Sequence, residues 1–280
     1  MLLTGNRPPL PLALCLLLAT VVFAAPSRRL FGSSKDSWIG PDSTNHASAD
    51  KIEELERYAM LSAIAYCQLG TWDCGDYCDA FPNMTLISTF TTLKTGAAGY
   101  IARDDSTDSL YIVFRGTYSL SNKFDDITFR LVNYTYYLGA MVHDGFLKYW
   151  DDATARVYPV VKHELAHHPN DKVYVLGHSL GGGGYCRHHI ERLKANHTLG
   201  YHKVGFICAA AVLAALYLHI EIASLNKSNL FVYTFGEPRV GDALFAFFVS
   251  LSGIQVIRVI NQNDIVPMLP PLSTGFKVDF

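Results

Sequence analysis

A serine flanked by glycines two residues to either side, Gly177-His178-Ser179-Leu180-Gly181, follows directly on the apolar run Val173-Tyr174-Val175-Leu176. That order restricts the backbone to a strand that stops abruptly and a helix that begins at once. A turn so tight leaves room only for hydrogen on the neighbouring Cα atoms. The helix dipole and the free amides of its first turn then face the Ser179 hydroxyl, which makes Ser179 a candidate nucleophile. The amide of Leu180 is placed to donate to an oxyanion formed by its attack on an acyl carbon. A second donor has to come from another loop. The strand-like segment Tyr111-Ile112-Val113-Phe114 ends in Arg115-Gly116-Thr117, and the turn there can present the amide and hydroxyl of Thr117.

The remaining pattern extends this strand and helix into a whole domain. Residues 50–67 repeat apolar side chains near the helical period, with Asp50 as a plausible cap. Residues 98–102 and 109–114 flank the turn-rich stretch 104–108 and read as a β-hairpin. Residues 145–167 are helical, 172–176 a short buried strand, 229–234 a strand, 243–250 a helix and 255–260 a strand. Helices alternating with continuously apolar strands form a central, mostly parallel sheet covered on both faces, so the class is α/β. The chain has 280 residues, half of them apolar, enough to bury one full core.

A formal charge of −2, from 23 basic and 25 acidic side chains without a basic block, offers no footprint for nucleic acid. The first 25 residues read as a signal peptide, with Arg7, an apolar stretch over 10–23 and the small residues Ala24 and Ala25 at its end. Pro11 and the shortness of that stretch argue against a spanning anchor, so no transmembrane segment is expected in the mature chain. Residues 26–51, polar and containing Arg28-Arg29, read as a propeptide or flexible leader. Export fits the glycosylation acceptors at Asn83, Asn133, Asn196 and Asn226. Five cysteines remain beyond Cys15, an odd number for a secreted, extracellular chain.

Five segments then stand in a telling order: Val113-Phe114-Arg115-Gly116-Thr117, Val142-His143-Asp144-Gly145-Phe146, Gly177-His178-Ser179-Leu180-Gly181-Gly182, Phe235-Gly236-Glu237-Pro238-Arg239-Val240-Gly241, and Asn263-Asp264-Ile265-Val266-Pro267. In order and kind they resemble the filamentous-fungal class 3 lipases, over about residues 55–275 apart from one block, and Tyr66-Cys67 with Trp72-Asp73-Cys74 belongs to the same likeness. The resemblance implies an α/β-hydrolase fold and a serine carboxylic ester hydrolase acting on acylglycerols, in places at a lipid–water interface. It implies Ser179 as nucleophile, Thr117 and Leu180 as the oxyanion hole, and Asp264 as the acid of a Ser-Asp-His triad. Asp264 also suits that role by position, in a polar loop just past the strand 255–260. His143 lies upstream of Ser179, against the chain order of such triads, and His178 is the variable residue of the turn, so neither is the base. The resemblance places a lid at 120–126, where only Leu120 and Phe124 are strongly apolar and Lys123, Asp125 and Asp126 are charged. That sparse lid keeps a feruloyl-type or other soluble-ester esterase as an alternative. No motif calls for a metal or an organic cofactor.

Two departures stand out. Removing residues 183–210 would join Gly182 to the strong helix former Ala211-Val212-Leu213-Ala214-Ala215-Leu216, whereas Arg187-His188-His189 brings charge toward a normally buried helix. The block reads as an in-frame insert, a translated intron. Further on, no histidine follows Asp264 before Phe280, so the domain assigned to 52–280 reads as truncated and lacks its general base. The resemblance further implies a local Cys74–Cys78 disulfide, and for Cys67 a C-terminal partner that this chain lacks. A non-catalytic lipid-binding pseudoenzyme is the alternative from a different class.

Overall fold

The computed structural model describes residues 47–67, 69–116, 129–178, 208–260, 264 and 266–277, and from Ser48 onward these belong to one compact unit, Ser48–Phe280. In chain order its main elements are α1 (Ala49–Ile64), α2 (Asp76–Asp79), β1 (Met84–Thr91), β2 (Ala98–Asp104), β3 (Ser109–Phe114), β4 (Leu131–Asn133), β5 (Met141–His143) and α3 (Asp144–His167). There follow β6 (Lys172–His178), α4 (Cys208–Glu221), β7 (Leu230–Phe235), α5 (Ala243–Ser252) and β8 (Gln255–Val259), then two single 3-10 turns. Among the described residues the main sheet runs β1-β2-β3-β6-β7-β8, antiparallel across its first two pairs and parallel across the last three. A small β4-β5 ribbon stands apart from it.

Strand period and layer arrangement agree. Leu110, Ile112 and Phe114 of β3, with Val173 and Val175 of β6 and Val232 of β7, turn to one face and pack with α3 and α4. Tyr111 and Val113, with Leu176 and Tyr233, turn to the other and pack against α1. Every residue of β3 is buried, as expected of a strand covered on both sides. α4 is buried along almost its whole length, which explains its uninterrupted Ala, Val and Leu composition. On the opposite face Leu61 and Ile64 of α1 are fully buried, and the Tyr100 hydroxyl donates to the Leu61 carbonyl at 2.7 Å.

Several boundaries move from where the residues alone put them. The cap of α1 is Ser48, whose hydroxyl accepts from the Lys51 amide at 3.2 Å; Asp50, expected there, sits in the first turn, where its charge favours the helix dipole. α3 starts at Asp144 and carries Pro159 inside it, tolerated because one missing amide is outweighed by the buried face of Phe146, Trp150, Ala153, Val157, Val161 and Leu165. α4 takes in Cys208, Ala209 and Ala210, residues that the sequence assigned to the anomalous block. Cys74 and Cys78 are disulfide-bonded. Cys67, for which the resemblance left no partner in this chain, is disulfide-bonded as well, while Cys208 is a free, buried thiol.

Candidate active site

The parallel strands end level with one another. Phe114 of β3 pairs with Gly177 of β6, His178 with Phe235 of β7, and Phe235 with Val259 of β8. Loops leaving these ends therefore start from one edge of the sheet, where sites of open α/β sheets gather. Ser179 and Leu180 follow β6 at that edge in sequence, and Thr117 follows Gly116 beyond β3; these three, with Leu120 and Phe124, lie outside the described residues. Asp264 is described, half-buried beyond the end of β8.

The backbone leading into the turn has the required form. A Cβ on Gly177 would stand 2.9 Å from Cys208 Cα and 3.1 Å from Ala211 Cβ, so the absent side chain is what lets α4 seat directly against β6. Gly116 is similarly crowded: a Cβ there would run into the Tyr66 hydroxyl and come within 3.2 Å of the His178 carbonyl oxygen. Tyr66 thus lies over the ends of β3 and β6 together. Its hydroxyl donates to the His178 carbonyl at 3.3 Å and lies 3.3 Å from His178 Nδ1, the rings meeting edge to face. The sequence pointed to Tyr66 as an apolar position at the end of the helix 50–67 and, through the resemblance, by its place beside Cys67.

Asp264 Oδ1 accepts from the Val266 amide at 2.9 Å. Burial raises its carboxyl above the usual range, and that amide pulls the other way. The loop after it is tied down by Arg239, whose backbone amide donates to the Leu269 carbonyl at 2.7 Å and whose guanidinium donates to the carbonyls of Pro270, at 2.6 Å, and Met268. Arg239 sits between Gly236, in the left-handed region with φ of 73°, and Gly241, where a Cβ would meet the Met141 carbonyl at 2.5 Å. The segment 235–241 also reaches β5, through the His143 amide donating to the Val240 carbonyl at 2.9 Å and a bridge between Val142 and Gly241. Four segments singled out in the sequence, together with the Asp264 loop, are thereby linked by backbone bonds and strand register.

Glu237, fully buried, is pushed up to about 7 by loss of hydration, against the pull of Arg258 with Nε 3.7 Å from its Oε1. Arg258 also donates to the Glu237 carbonyl at 2.6 Å. The Cys208 thiol, donating to the Phe235 carbonyl at 3.2 Å, is raised by burial and next by the Glu237 charge, with Asp264 contributing too. His143 has a structural task. It caps α3, Nδ1 accepting from the Gly145 amide at 3.0 Å, and burial lowers its pKa to about 4. Among the described residues no three His, Cys, Asp or Glu side chains gather as a metal-holding group, and no helix is long and apolar enough to cross a membrane.

A mixed sheet between helical layers, with a strand-end glycine seating a buried helix, is the architecture of the α/β hydrolases. The chain belongs to the class 3 lipase family, whose profile it matches over residues 111–184 and 205–274. It is 38% identical over 234 residues to a lipase of Rhizomucor miehei, covering 82% of this chain and 57% of that protein. It is 30% identical over 272 residues to secreted mono- and diacylglycerol lipase 2 of Gibberella zeae, covering 80% of this chain and 59% of that one. Both of these relatives extend well beyond the shared region. Among solved structures it is similar to a triacylglycerol lipase whose catalytic centre is formed by a serine protease triad, with 36% identity, a TM-score of 0.69 and coverage of 82% of this chain and 78% of that one.

Proposed function

We propose that this chain carries the nucleophile and acid of a secreted serine carboxylic ester hydrolase acting on acylglycerols. In this reading Ser179 Oγ attacks the acyl carbonyl, and the amides of Leu180 and Thr117, with the Thr117 hydroxyl, receive the oxyanion. A histidine oriented by Asp264 takes the serine proton and returns it to the leaving alcohol; water then hydrolyses the acyl-enzyme. The observation that carries the reading is the level ending of β3, β6, β7 and β8, with Gly116, His178 and Asp264 at or just past those ends. The likeness to a triacylglycerol lipase with a serine protease triad supports the roles, and the likeness to a secreted lipase supports export.

The base is the open element, since no histidine stands between Asp264 and Phe280. Without one, catalysis falls to the residual of about 10³ to 10⁴ over the water reaction that oxyanion binding supplies. We also infer that the block beginning at residue 183 is an insert. Family similarity breaks between 184 and 205, and α4 already seats on Gly177 where a helix following the turn directly would lie. Sequencing the transcript across codons 183–210 and past codon 280, with tributyrin hydrolysis by the encoded protein and by its Ser179→Ala variant, tests both points. A message without the block and with a downstream histidine, and activity abolished by Ser179→Ala, is expected. A message ending at codon 280, with lipid binding but no hydrolysis, would instead establish the pseudoenzyme.

The sparse apolar content of 120–126 favours one second reading, an esterase for soluble esters. The two separate by rate against substrate concentration: a jump above the solubility limit marks a lipase, and smooth saturation below it an esterase.

A further inference from the structure

We propose that His163 and His167, near the C-terminal end of α3, form a two-imidazole surface site for a divalent late first-row transition-metal cation. Four residues apart on one helix, the two side chains share a face. Their ring centroids are 4.4 Å apart, with the planes inclined by 40°. Each ring is anchored through Nδ1: that of His167 lies 2.9 Å from the His163 carbonyl oxygen, and that of His163 lies 3.3 Å from Glu164 Oε1. A carbonyl and a carboxylate only accept, so each Nδ1 is the donor, and in the neutral imidazole the lone pair then stands on Nε2. A carbonyl or carboxylate holding the far nitrogen is the arrangement that orients imidazoles bound to metals and raises their basicity. The His163 side chain is 69% exposed, and His167 is exposed too, so a hydrated cation reaches both.

Two neutral imidazoles select nickel, copper or zinc over calcium and magnesium, which prefer oxygen ligands. Water fills the other positions. A cation bridging residues one turn apart binds the helical state and not the frayed one, so it stabilises the end of α3. The site lies on α3 and is independent of ester hydrolysis.

The test is calorimetric titration of Ni²⁺ into the full chain, expressed without a histidine tag, beside thermal unfolding with and without the cation. Both imidazoles are exposed, so alanine at either position leaves the fold, checked by circular dichroism, in place. The variants are His163→Ala, His167→Ala and the double His188→Ala/His189→Ala. Either single substitution is expected to weaken binding about tenfold or more, because a chelate becomes a single contact, and to remove the Ni²⁺-dependent rise in Tm. The His188/His189 variant is expected to bind as the parent does. Unchanged binding in either single variant, or binding lost with His188 and His189, overturns the proposal.

Discussion

The hydroxyl of Tyr66 lies 3.3 Å from both the carbonyl oxygen and Nδ1 of His178, the residue that precedes the candidate nucleophile. It also fills the space where a side chain on Gly116 would stand. One phenol therefore holds together the ends of two neighbouring strands. Tyr66→Phe keeps the ring and removes the hydrogen bond, at an expected cost of about 1 kcal/mol. Urea unfolding measures it, and an unshifted midpoint would mean that the hydroxyl adds nothing to stability.

Gly177→Ala places a methyl group 2.9 Å from Cys208 Cα and 3.1 Å from Ala211 Cβ, both within α4. Helix and strand must separate to admit it. The expected loss is about 1 to 3 kcal/mol, as for other overpacked cores. Equal melting temperatures for variant and parent would contradict this packing.

Arg239 joins the turn after β7 to the loop after Asp264 through the carbonyls of Met268 and Pro270. Arg239→Ala removes charge-assisted bonds worth about 1.5 to 3 kcal/mol. Arg239→Lys restores little, since both bonds leave the terminal nitrogen Nη1, which stands farther from Cα than a lysine ammonium does. Hydrogen exchange of the Leu269 amide, which donates to the Val266 carbonyl within that loop, is expected to quicken in both variants. Protection retained in the alanine variant would show that the loop holds without the guanidinium.

His143 is buried, and its pKa is lowered to about 4 by loss of hydration. The unfolded chain, with histidine near 6.5, binds more protons than the native state between those values, so this contribution is present above about pH 6.5 and lost as pH falls toward 4. The difference is worth about 3 kcal/mol at most. Glu237, raised to about 7, acts oppositely, favouring the folded state at low pH and losing that contribution as pH rises through 7. Replacing His143 by Asn, another good helix cap, is expected to lower the slope of stability against pH between 4 and 6.5. An identical slope in guanidinium unfolding would rule out His143 as its source.

Local signals carried much of this molecule. The apolar run before Gly177, the hairpin around residues 104–108, the long amphipathic α3 and the strands β7 and β8 were legible because each depends on side-chain period and on glycine or turn residues a few positions apart. The places of Ser179, Thr117 and Leu180 as candidates came from sequence alone, and they lie outside the described residues. β1 was not legible: it is an edge strand with a register shift between Leu86 and Ser88, which breaks the alternation that marks a strand. Choosing Ser48 over Asp50 as the cap of α1 took the backbone itself, since both side chains are competent acceptors. Nothing local says that Arg239 reaches the loop beyond Asp264, that Tyr66 rests on Gly116, or that Glu237 and Arg258 are buried side by side. Those contacts join residues far apart in the chain, and they form because packing helices onto both faces of the sheet brings these groups together at its edge.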